Sequence, residues 1–343
     1  NENNTWLSLG AGFNSSILSL ATGDNEKFFA AGSFTSAGSK LCNFVAEKTV
    51  DSEWSPLGNG MNSSVYTLLS VSNKLYAGGA FTKADKRSCK HIAFWDGSKW
   101  QKLGAGLNGN VYALILDKEG RLVAGGNFSR SGGRKIANIA VWNSKKWLSL
   151  GEGFNGPVFS IARDDKNNLY AAGDFTLAGN VKVNGIAKWN GYSWEAIDNG
   201  IKQPVFFVAV NSQGMLFAAG TFKSNDDEDK IYVAKWNGSS WEFLGKDFNG
   251  PISALYFDAS DNLYAGGAFT KNGNTPVNFI SKWNGTNWEE LNSGTDGKVF
   301  SIISDTNSNL YIGGDFYSAG KEFSAFIAKY KQDSTFLESL LQK

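Results

Sequence analysis

Two loops of opposite charge stand out among the residues that could do chemistry. Lys83, Lys86, Arg87 and Lys90 make one loop basic, and Asp226-Asp227-Glu228-Asp229 makes another acidic. Such loops recognise charged partners. The acidic run offers the several oxygens a hard cation wants, but it lacks Asp-x-Asp-x-Asp-Gly spacing and reads as a solvated loop. His91, beside Cys89 and Lys90, has no Cys/His partner motif, so it reads as a surface imidazole rather than a metal ligand. Asp174 and Asp315, like Asn127, sit just after a small-residue pair that ends in glycine. There they either face a central channel or upper rim, or bond to loop amides. Asp164-Asp165 and Asp258-x-x-Asp261 fit turn chemistry better than calcium. One histidine and two cysteines remove most zinc, haem and Cys/His catalytic schemes. No catalytic residue, metal or cofactor is assigned.

Cys42 and Cys89 are 47 residues apart. They form a candidate disulfide only if their loops bend inward, because a bridge needs Cα atoms within ~7 Å. Asn-x-Ser/Thr sequences make Asn14, Asn62, Asn237 and Asn284 candidate glycosylation sites, the last two on exposed turns; Asn3 and Asn127 also match. Asn127 is expected to be largely buried in a strand.

Composition bounds what could position these groups. Across 343 residues the net charge is +1, which gives no electrostatic case for nucleic acid. No stretch approaches the ~18 apolar residues of a membrane span, and the start Asn1-Glu2-Asn3-Asn4 is not a signal peptide. Forty glycines, with 25 Phe, 12 Trp and 11 Tyr, point to many turns between β-strands.

A 47-residue repeat organises the chain. Phe34, Phe81, Phe128, Phe175, Phe222, Phe269 and Phe316 are evenly spaced, and two residues before each comes a glycine, from Gly32 to Gly314. Tryptophans recur at 95, 142, 189, 236 and 283, and again at 54, 100, 147, 194, 241 and 288, with Trp6 as an N-terminal match. Each unit reads as four short strands. In one, these are Val158–Ile161, Leu169–Gly173, Ile186–Trp189 and Ser193–Ile197. Asn190-Gly191 between the last two predicts a type I′ hairpin. Gly38, Gly132, Gly179, Gly273 and Gly320, with Asp85 and Asp226 at the same place, predict positive φ in the loop between second and third strands.

Four strands repeated seven times predict an all-β, seven-bladed propeller of antiparallel sheets over residues 1–332. The last unit stops after its third strand, Ile327–Tyr330, and the chain begins with an orphan fourth strand, Trp6–Leu9. Pairing the two closes the ring. Residues 333–343 change period, and Ser334 there is placed to cap a short helix with Phe336, Leu337, Leu340 and Leu341 on one face.

Leu75-Tyr76-Ala77-Gly78-Gly79, followed by Trp95 and Trp100, resembles the kelch pattern of an apolar run, a glycine pair and two spaced aromatics. The spacing of five is shorter than in typical kelch repeats. The wording is similar to kelch-like, galactose-oxidase-type repeats of extracellular proteins, including cell-surface polarity proteins of the Rax2 kind. That resemblance covers essentially the whole chain. It implies a secreted or surface-displayed platform that binds a protein or glycan, on a surface or in the extracellular matrix. It does not carry over the copper chemistry of galactose oxidase, because His91 is the single histidine.

The leading reading is a non-enzymatic binding or scaffold module. The alternatives are a propeller lectin and an enzyme with a site at the central channel. A lectin with repeated pockets needs one exposed set of residues in most blades, whereas the repeating residues here are glycines, small residues and core aromatics. The expected binding face carries the loops between second and third strands and the crossovers around Asn62, Asn108, Asn155, Gln203, Asn249 and Asp296. Lys86, Arg87, His91, Asp174, Asp226, Asp227 and Asp315 are its candidates.

Overall fold

The computed structural model describes residues 4–24, 26–49, 52–197, 201–223 and 228–332. Asp226, Asp227, Asn3 and the tail 333–343 lie outside the described residues. Seven four-stranded antiparallel sheets form the blades of a propeller. No helix among the described residues is long and apolar enough to cross a membrane.

Blade 4 shows the construction. Its strands are Val158–Arg163, Leu169–Gly173, Ile186–Trp189 and Trp194–Ala196, paired in order from the channel outward. All five residues of the second strand are buried, because blades cover both of its faces. The cores therefore lie between blades: Val123, Ile139 and Val141 of blade 3 pack with Val158, Leu169, Phe175 and Trp194 of blade 4. Burial of this apolar surface, at ~25 cal/mol per Å², is what holds the blades together.

The ring closes through the N-terminus. Thr5–Ser8 pairs antiparallel with Ile327–Lys331, Trp6 lying opposite Tyr330. Trp6 is 2% exposed, and its indole Nε1–H donates to the Leu291 carbonyl at 3.0 Å. Trp100, Trp147, Trp194 and Trp288 make the same bond to Leu57, Leu103, Leu150 and Leu244. Each of these tryptophans thus fastens its blade to the incoming crossover.

Three local features differ from, or go beyond, the sequence expectations. The loop between second and third strands is not plain coil in six blades; it folds into a two-stranded ribbon, such as Lys83–Ala84 with Arg87–Ser88. The ribbon turns where positive φ was expected, from 54° at Gly273 to 59° at Gly179, with Asp85 at 46°. The Asn190-Gly191 hairpin is not a type I′ turn. Trp189 pairs with Trp194 across a four-residue loop in which Gly191 has positive φ and Asn190 does not. The Asn190 Oδ1 accepts the amides of Tyr192 and Ser193, so an Asx turn replaces the two-residue geometry.

The third feature is a β-bulge in every inner strand. In blade 4 the register jumps from Val158↔Gly173 to Ser160↔Ala172 and leaves Phe159 unpaired. The bulge explains the glycine that ends each small-residue pair. A Cβ on Gly173 would stand 2.0 Å from the Pro157 carbonyl oxygen, so the close approach requires glycine.

Candidate functional site

The face that carries the ribbons is built on a repeated cap. The Asn155 Oδ1 accepts the amides of Thr176 and Leu177, both at 2.9 Å, tying the crossover to its blade's ribbon. Asn14, Asn62, Asn108, Asn249 and Asp296 make the equivalent pairs. A side-chain oxygen replaces the backbone partners that these loop amides would otherwise lack. The capping amides of Asn14 and Asn62 also donate to Thr35 and Thr82 Oγ1 at 2.9 and 3.1 Å. Asn237 and Asn284 cap the exposed hairpins at the other end of their blades.

On this scaffold blades 2 and 3 carry a dense positive charge. Lys83, Lys86, Arg87 and Lys90 are exposed on one loop, and Arg130, Arg134 and Lys135 on the next. The crossover holds the loops side by side: Leu107 N–H donates to the Lys90 carbonyl and Asn108 N–H to that of Arg130, both at 3.0 Å. Asp85 is the one carboxylate in the two loops. It is occupied by the amides of Asn59 at 2.7 Å and Trp100 at 3.0 Å. Asp85 and Lys86 both have positive φ, 46° and 64°, as a type I′ turn requires, and they form the tip of the ribbon.

The other candidates are placed apart from this cluster. Asp174 and Asp315 are exposed at the ends of second strands three blades apart, and Lys298 pairs across the strands with Asp315. Asn127 is likewise exposed, which overturns its expected burial: the second strand leaves the core at that residue. His91 is half-buried and closes its loop at φ 63°. Its Nδ1 is 3.1 Å from the Gly79 carbonyl, and burial lowers its pKa below the ordinary imidazole value. Phe44, Asn138, Phe279 and Phe326 take the same conformation in other blades, marking a structural position.

Cys42 and Cys89 are free and buried in separate cores. They fill the plug under the ribbon that Ile136, Val183 and Val277 fill elsewhere, and burial raises both thiol pKa values. The residue at this position acts as a small hydrophobe. Each is buried in a different core between blades, so the candidate bridge does not form. Asp164 and Asp258 are consumed by hairpins: the Asp164 carboxylate accepts Asn168 N, Asn168 Nδ2 and Tyr170 OH at 2.8, 2.6 and 3.0 Å. Asp258 repeats the set with Asn262 and Tyr264.

The inner strands enclose a central channel of about 280 Å³. The unpaired bulge residues line it: Tyr66, Tyr112, Phe159, Phe206 and Phe300, with Leu18 and Ser253 completing the ring. Sequence reasoning passed over this ring. Its signal is the residue after the Val or Ile that opens each inner strand, aromatic in five of seven units. Arg130 and Arg134 were missed similarly, although they occupy the repeat positions of Lys83 and Arg87.

The Rax2 C-terminal beta propeller domain matches residues 53–146 and 117–255. The chain belongs to this family. Solved structures similar to this Rax2-family propeller share its fold at low identity. An extracellular domain from B. thetaiotaomicron, attributed to a one-component system, superposes with TM-score 0.65 at 13% identity. The match covers 96% of this chain and 40% of that one, so the propeller corresponds to less than half of that domain. The WD40 propeller of Doa1 gives 0.61 at 13%, covering 95% and 96%. YCF48 bound to D1 peptide gives 0.61 at 12%, covering 97% and 98%. No curated protein matches the sequence.

Proposed function

We propose that this Rax2-family propeller is a non-catalytic binding module, displayed outside the cell, that docks an acidic segment of a partner protein on the ribbon face of blades 2 and 3. The observation that carries this is the juxtaposition of seven exposed cations on two loops bonded to one crossover, with one internally occupied carboxylate. No ion pair engages any of the seven among the described residues. The whole-chain charge of +1 conceals this asymmetry. Such a field speeds encounter and sets specificity, with an effect that weakens as salt rises. Peptide binding by YCF48 and the extracellular placement of the B. thetaiotaomicron domain support the reading by analogy of fold. The glycine pairs and twin tryptophans fit a kelch-like repeat. A lectin built on the repeated second tryptophan is disfavoured, since Trp6, Trp100, Trp147, Trp194 and Trp288 are buried.

A phage-displayed library of random peptides, selected on the intact propeller, tests this. Acidic peptides should emerge. Their affinity should fall at least ~10-fold for Arg87→Glu combined with Arg134→Glu, a loss of ~1.4 kcal/mol. A control altering Asn190 and Ser193 should bind normally. Peptides that bind the charge-reversed variant unchanged would place recognition elsewhere, and preferential capture of a sulfated polysaccharide would replace the protein partner with a glycan.

A further inference from the structure

We propose that the central channel is a binding site for a single aromatic ring, presented on a side chain of a partner or as a free small molecule. The five aromatic residues of the channel ring belong to none of the cores between blades. Each is half-buried, so their surface is not explained by holding the propeller together. The bulges aim them: a bulged residue leaves the ladder and its side chain is redirected, here toward the channel.

Size narrows the occupant. Pockets for whole ligands run from ~300 Å³ upward, and the channel offers about 280 Å³. That is room for a ring-sized group and less than a whole ligand usually fills. Tyr66 and Tyr112 lie 5.5 Å apart between centroids, and Tyr112 and Phe159 lie 5.9 Å apart, both tilted. Aromatic pairs at 4.5–7 Å favour this geometry, so another ring entering the channel meets a wall arranged to receive it. The Asn110 Nδ2 donates to the Tyr112 hydroxyl at 3.3 Å and orients it. The two tyrosine hydroxyls can serve a polar ring edge such as a phenol or an indole N–H.

Ser253 is the gap in the ring. Its neighbours at the same position are Phe206 in blade 5 and Phe300 in blade 7. A phenylalanine at 253 is therefore compatible with the blade and would occupy the space left for the ligand.

The test uses p-cresol, indole and a glycine-flanked tryptophan pentapeptide on the whole chain, read by saturation-transfer NMR and calorimetry. Saturable binding to the native protein is expected, with methyl glucoside silent. Ser253→Phe should weaken it at least ~10-fold with an unchanged melting temperature, and Phe159→Ser, which removes part of the wall, by ~5-fold. Tighter binding of the pentapeptide than of the free rings assigns the site to a partner's side chain; the reverse assigns it to a small molecule. Absence of saturable binding by every probe overturns the proposal, as does native affinity in Ser253→Phe. Should Ser253→Phe fail to fold, native affinity in both Phe159→Ser and Tyr66→Ser overturns it. The basic loops play no part in this site, so either result leaves the docking of an acidic segment to its own experiment.

Discussion

Blades 4 and 5 come from neighbouring repeats of one sequence, yet only blade 4 folds its second loop into a ribbon. In blade 5 the ladder simply continues: Leu216–Lys223 pairs with Asp229–Trp236 as far as Lys223↔Asp229. The departures come as a set. Blade 4 has the Asn155 cap, and blade 5 has Lys202 in its place. Gly185 closes the blade 4 loop with positive φ, whereas Tyr232 sits in the regular ladder opposite Gly220. A Cβ on Gly173 would meet backbone at 2.0 Å, but one on Gly220 has its nearest atom, the Val205 Cα, at 3.2 Å. The Trp194 indole bonds Leu150, whereas the buried Trp241 Nε1 has no acceptor. Trp54 Nε1 of blade 1 has none either, although that blade keeps its cap and ribbon, so the indole bond varies independently of them. Crossover, ribbon and tight bulge therefore act as one cooperative unit, and losing the cap goes with losing the others.

Blade 7 sharpens the comparison. It is assembled from both ends of the chain yet keeps the blade 4 set: Asp296 caps its ribbon, Phe326 has φ 68°, and a Cβ on Gly314 would stand 2.0 Å from the Lys298 carbonyl. The set thus depends on local residues and not on chain continuity, while stability should depend on closure. Removing residues 1–12 exposes a strand edge and the site of Trp6. We expect the largest effect here, a fall in melting temperature of roughly 10 °C or more by calorimetry. An unchanged transition would show that the closing strand is dispensable.

The tryptophans come next. Trp194→Ala should cost ~3–5 kcal/mol in denaturant unfolding, as for other buried aromatics. Trp241→Ala should cost at least ~1 kcal/mol less, since no hydrogen bond is lost. Equal losses would contradict the weaker fastening of blade 5. The glycines follow: Gly173→Ala should destabilise by ~1–3 kcal/mol through overpacking, and Gly220→Ala by clearly less. The smallest effect is Asn155→Ala, ~1 kcal/mol in global stability. Its signature is faster hydrogen exchange at Thr176 and Leu177 with no change in blade 5; slow exchange at those amides would mean that the ribbon does not need its cap.

Much of this architecture was legible because repetition isolates the residues each blade cannot do without. The 47-residue period, the invariant second glycine and the orphan Trp6 led to seven blades and a shared closing blade. The turn at Asn190-Gly191 misled because a side-chain oxygen can replace a backbone acceptor, and the dipeptide alone does not disclose which. Asn127 misled because the strand outruns the core by one residue.

The binding features lie at the other extreme. Lys86 and Arg87 were visible as a charged loop, but Lys90 and Arg130 are 40 residues apart in sequence. Only the crossover's adjacent bonds at Leu107 and Asn108 make one surface of them. Cys42 and Cys89 occupy equivalent positions, and their burial inside separate cores is a property of the packed blades. Phe159 alternates with its neighbours like any strand residue; a shift of one register step, stabilised by a carbonyl resting on Gly173, turns it toward the axis. The sequence by itself determined the blade, because local periodicity and glycine sterics act over a few residues. Only the tertiary structure decided the charged face and the aromatic channel, because both require side chains from different blades to meet around a common axis.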